Sequence, residues 1–111
     1  MLEADALALL TIARRDLQAA QGMTDTTTFH EAVWGFQVQQ TIEKALKAWL
    51  YLSGMEPPFT HDLVALLKLL EQAGSDIAPY RDLDRSSWNG SRAEALVSVI
   101  EAMLPPPPAL P

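Results

Sequence analysis

The stretch FQVQQTIEKALKAWLYL, residues 36–52, decides the fold. Val38, Ile42, Ala45, Leu46, Trp49 and Leu52 recur at three- and four-residue intervals, the spacing of one face of an α-helix. Ala32 and Gly35 continue that face backward. Thr28 and Glu31 have the spacing of a capping box, in which the two side chains satisfy free N–H groups of the first turn. A helix from Thr28 to Leu52 would hold roughly 25 residues and span about 37 Å. Ser53-Gly54 ends it.

Helical periodicity extends on both sides, and strand alternation is nowhere sustained. Toward the N-terminus, Leu2, Ala6, Leu9, Leu10, Ala13, Leu17 and Ala20 share a stripe, with Arg14, Arg15 and Gln18 opposite. Gly22 sits where a left-handed cap would close this helix. Toward the C-terminus, Pro57-Pro58 enforces an extended connection. Thr60 is placed to cap a third helix carrying Leu63, Leu66, Leu67 and Leu70, which Gly74 stops. A short helical turn is expected between Ile77 and Leu83, then a loop from Ser86 to Gly90. Ser91 and Glu94 repeat the capping-box spacing before a fourth stripe of Ala93, Leu96, Val97, Ile100, Met103 and Leu104. The expectation is an all-α, up-and-down four-helix bundle over residues 1–104. Residues 105–111 form a proline-rich tail, which reads as a helix stop and an exposed end.

At 111 residues the chain has room for one domain, and 49 % hydrophobic against 20 % charged residues gives it a core. It has no cysteine, so a disulfide scaffold, a thiolate zinc site and a cysteine nucleophile are excluded together. A net charge of −6 argues against tight duplex binding, which depends on neutralising phosphates. Glu3 and Asp5 stand where a signal peptide carries positive charge, and no stretch reads as a membrane span. A cytoplasmic protein is expected.

Four polar residues of the long helix, Gln40, Glu43, Lys44 and Lys47, fall at i, i+3, i+4 and i+7 and so share a face. One reading is a solvated stripe with a Glu43–Lys47 pair contributing about 0.2–0.5 kcal/mol. The other is a polar groove in which two ammonium groups meet a phosphate or an acidic partner. His61, in Thr60-His61-Asp62-Leu63, stands at a helix start where it can bond loop backbone or help hold an anion. His30 and His61 are the two histidines, 31 residues apart, so a histidine metal site would draw ligands from separate helices. No metal or cofactor is expected. The five glycines are scattered, without a phosphate-binding loop, and no nucleophile elbow supports a Ser-His-Asp site. Trp34, Trp49 and Trp88 read as core or interface residues. Apolar residues off the main stripes, among them Trp34, Leu50, Tyr51 and Val64, are in excess for so short a bundle and point to a homodimer.

The run Phe36-Gln37-Val38-Gln39-Gln40-Thr41-Ile42-Glu43-Lys44-Ala45-Leu46-Lys47-Ala48 resembles the hallmark helix of the HEPN family. The Gly54-Met55-Glu56-Pro57-Pro58 turn and the Thr60-His61-Asp62-Leu63 start of a leucine helix continue the resemblance, which covers about residues 29–73. It implies a helical bundle that commonly pairs as a homodimer. It also implies association with a minimal nucleotidyltransferase, either as a ribonuclease toxin or as a nucleotide- or substrate-binding companion. The family's ribonuclease branch carries an Arg followed after four to six residues by a His on the late helical segment. Here the late arginines are Arg81, Arg85 and Arg92, and no histidine follows His61. The resemblance therefore implies a non-catalytic HEPN protein, with Gln40, Glu43, Lys44, Lys47 and His61 as its ligand-binding residues. The alternatives are a ribonuclease toxin with a relocated His30 or His61, and a dimeric scaffold without ligand.

Overall fold

A computed structural model describes residues 2–22, 31–82 and 90–104. Among these residues the chain forms four α-helices and no strand: α1 (Leu2–Gly22), α2 (Glu31–Leu52), α3 (Leu63–Gln72) and α4 (Gly90–Glu101). A 3₁₀ turn at Ala78–Tyr80 lies between α3 and α4. The second helix is the hub. It packs against each of the other three, and α1 also meets α4.

The side chains explain that arrangement. In α1 the buried positions are Ala6, Leu10, Ala13, Leu17 and Ala20, alternating small and large at four- and three-residue steps. The alanines let α2 come close while the leucines fill the space between. In α2 the buried arc is broad, taking in Val38, Thr41, Ile42, Ala45, Leu46, Ala48, Trp49 and Leu50, because helices lie on several sides of it. Thr41 is tolerated there because its hydroxyl donates to the Gln37 carbonyl at 3.0 Å. Leu66, Leu67 and Leu70 of α3 and Ala93, Leu96, Val97 and Ile100 of α4 complete one core. Each fully buried leucine contributes about 1.5–3 kcal/mol relative to exposure. Trp49 meets the Tyr80 ring edge to face at 5.7 Å, which brings the 3₁₀ turn against α2.

Two helix ends have the same construction. At α2, Met55 N–H donates to the Leu50 carbonyl and Gly54 N–H to that of Tyr51, with Gly54 at φ 84°. At α3, Ser75 N–H donates to Leu70 and Gly74 N–H to Glu71, with Gly74 at φ 91°. Both are Schellman closures, which need a left-handed residue and take glycine for that reason.

Several local expectations need correction. Asp62, not Thr60, caps α3: its carboxylate accepts from the N–H groups of Val64 (3.0 Å) and Ala65 (3.3 Å). The Thr60 hydroxyl instead accepts from Asp62 N–H at 3.1 Å. Ser91 lies inside α4, which starts at Gly90, and Glu94 bonds across the bundle. The first helix includes Gly22. Leu50 is fully buried, whereas Met103 is exposed. Thr28, His30, Leu83, the loop from Ser86 and the tail at 105–111 lie outside the described residues, as do the side chains of Trp34 and Trp88.

Candidate functional site

Glu43 is the centre of the polar face of α2. Its side chain is 6 % exposed, a costly position for a carboxylate unless both oxygens are satisfied. They are. Lys47, one turn on, brings Nζ to Oε2 at 3.4 Å, and His61 brings Nδ1 to Oε1 at 2.7 Å. Lys47 is itself mostly buried, at 16 % exposure, its stem lying along the protein and its ammonium near the carboxylate. His61 is 82 % exposed, so the contact joins an outward-facing imidazole to an inward-facing acid.

The loop delivers His61 to that place. The Gly54 closure turns the chain off α2, and the Asp62 cap starts α3 immediately after the histidine. Because a carboxylate only accepts, the ring nitrogen facing it carries the proton. In a neutral imidazole that leaves Nε2 with its lone pair.

Lys44 is turned elsewhere. Its ammonium pairs with Asp16 of α1, and both side chains are about three-quarters buried. The sequence spacing put Lys44 and Lys47 on one groove, but the structure gives each its own carboxylate. Gln40 is half-buried on α2. Gln40, Glu43, Lys47 and His61 thus stand on or beside the polar face of α2, with Lys44 on its α1 side. Asp16 had no signal in the sequence, being 28 residues from its partner and on another helix.

A second polar cluster crosses from α1 to α4. Arg14 pairs with Glu94 and with Glu101, and its Nη2 lies 3.4 Å from the Ser98 hydroxyl. The guanidinium is held above its ordinary pKa by hydrogen bonds to the two carboxylates, and Arg14 in turn holds Glu94 below the usual carboxylate range. Arg14, placed opposite the apolar stripe by periodicity, therefore faces α4. Arg92 donates to both oxygens of Asp82, at 2.7 and 2.8 Å. Five to seven residues beyond it stand Val97, buried, then Ser98 and Val99, both exposed.

Among the described residues no group of three His, Asp or Glu side chains could hold a metal ion. No helix there is long and apolar enough to cross a membrane. Neither the curated proteins nor the solved structures yielded a match. The HEPN domain profile matches residues 6–99. That span takes in the α1 stripe, the hub helix with its Glu43 centre, the His61 loop and most of α4, and the chain belongs to the HEPN domain family.

Proposed function

We propose that this bundle, ordered up and down, is a non-catalytic HEPN binding module that pairs as a homodimer and serves a minimal nucleotidyltransferase. Its α2 face, with Gln40, Glu43, Lys44, Lys47 and His61, receives a nucleotide or the nucleotidyl-accepting substrate. The observation that carries the reading is the double engagement of Glu43. A buried acid that fixes both a lysine and an exposed histidine holds an ammonium and an imidazole at one place without being left unpaired itself. Lys44 supports that face from the α1 side. Late in the chain Val97, Ser98 and Val99 stand where the family's ribonuclease branch has histidine, and none of them moves a proton as imidazole does. Leu7, Ile12, Phe36, Val99 and Met103 remain exposed and supply apolar surface for pairing.

Calorimetric titration with AMP and ATP tests the ligand assignment. The parent protein should bind at least one of them, more weakly as salt rises. Lys47→Gln should weaken binding about tenfold or more, since a charge-assisted hydrogen bond contributes about 1.5–3 kcal/mol. Equal affinity in parent and variant would remove the assignment. Sedimentation of the same preparation as a single 12.2 kDa species would remove the dimer.

One observation favours the rival ribonuclease reading. Glu43 orients His61 as an acid orients a catalytic imidazole, with Nε2 outward as a base. Against it, Arg14, Arg81 and Arg92 are each paired with carboxylates. A mixed RNA pool should survive incubation with the purified protein. Cleavage abolished by His61→Ala would establish the rival.

A further inference from the structure

We propose that Phe59 is a docking knob for a protein partner whose surface offers an apolar pocket rimmed by Lys or Arg. The inference goes beyond the ligand face and holds whether or not a nucleotide binds there. Phe59 is fully exposed, so its ring forgoes the burial that every core leucine gains.

A slack loop does not account for that exposure. The Schellman closure at Gly54 fixes one end of the segment, and Pro57-Pro58 restricts the backbone beyond it. Thr60 N–H then donates to the Pro58 carbonyl at 3.0 Å, a three-residue turn with Phe59 at its apex. Asp62 caps α3, and His61 anchors the segment to Glu43 on α2. A rigid, protruding aromatic loses little freedom when it enters a pocket, which is the physical condition for a binding hot spot.

Charge selects the occupant. No Lys or Arg occurs between Lys47 and Lys68, while Glu56 and Asp62 flank the ring and are exposed. The nearest basic side chains, Lys47 and His61, are already engaged with Glu43, so a strand of bases stacked on Phe59 would bring its phosphates against Glu56 and Asp62, and an anionic membrane would meet the same repulsion. A second copy paired about a two-fold axis at this loop would set Glu56 and Asp62 against their own counterparts. A protein with a cationic rim satisfies both the ring and the acids.

Site-directed photocrosslinking in the host cell tests this, with a photoreactive phenylalanine analogue at position 59 and, as control, at the exposed position 72. Expected is one polypeptide captured at 59 and not at 72, the adduct mapping to an apolar pocket flanked by Lys or Arg. That polypeptide, purified, should bind the parent and lose at least tenfold in affinity to Phe59→Ala, and Glu56→Gln should reduce the salt dependence. Phe59→Ala should leave the circular dichroism and melting temperature unchanged, because the ring is solvent-exposed. The proposal is overturned by adducts with nucleic acid, lipid or a second copy, by no excess yield at 59 over 72, or by a captured protein that binds Phe59→Ala as well as the parent.

Discussion

At Glu43 and at Asp16 an acid on one helix is answered by a lysine of α2, but the two pairs differ in how visible they are beforehand. Glu43 and Lys47 are four residues apart on one helix, so their contact is legible from spacing alone. Lys44 has the same spacing from Gln40, yet its ammonium goes to α1, a choice that depends on how two helices meet. His61 was legible as a polar residue at a helix start; its seat on Glu43 needed the Gly54 turn and Asp62 cap together. The Lys44–Asp16 pair is mostly buried, so it lies between the surface and interior regimes. Lys44→Gln should cost about 1–2 kcal/mol in urea unfolding. Adding Asp16→Asn should recover part of that loss, because the acid is then no longer buried unpaired. Additive losses in the two variants would mean that the side chains act independently.

Among the elements, stops proved more legible than starts. Gly54 and Gly74 mark the ends of α2 and α3 because only a residue free to adopt positive φ completes the closing pair of hydrogen bonds. Starts are ambiguous wherever two residues of capping type stand close together; Thr60 was the expected cap of α3, and Asp62 follows two residues on. Geometry decided for Asp62, with the Thr60 hydroxyl taking the preceding N–H. Ser91 was the expected cap of the last helix, and α4 begins before it. The glycine requirement gives a clean experiment. Nothing lies within 4 Å of where a Cβ on Gly54 would stand, so substitution meets no clash and the cost is conformational alone. Gly54→Ala should destabilise by about 1–2 kcal/mol, and Gly54→Asn by less, as read from the urea midpoint. A neutral Gly54→Ala would show that the α2 closure is not held in solution.

For the whole molecule, the four stripes and their lengths were enough to read an all-helical chain, since each apolar face must be buried against another helix. The role of α2 as hub was only partly visible, in the apolar residues that fall off its main stripe; Leu50 was one and is core rather than interface. The Arg14 clamp was not visible at all, because it joins α1 to α4 across 80 and 87 residues. It gives the bundle an acid-side dependence whose sign follows from Glu94. With its pKa lowered in the fold by Arg14, Glu94 adds stability above the ordinary carboxylate value and loses it as pH falls through the folded one. Thermal unfolding from pH 7 to 3 should therefore show a fall in melting temperature that is shallower in Glu94→Gln. At pH 7 that variant should be less stable by about 0.5–1 kcal/mol, a modest amount because the carboxylate is two-fifths exposed. Identical pH profiles would mean that the clamp does not form.

The third helix has a different standing from the others. Where α1, α2 and α4 meet one another, α3 rests principally on α2 through Leu66, Leu67 and Leu70. Three helices can therefore remain assembled while the fourth swings away, so the least costly excursion from the native state is a local opening rather than global unfolding. His61 sits directly ahead of α3, and its bond to Glu43 would part in the same event. The lifetime of the polar face on α2 is then set by how often one short leucine helix lets go.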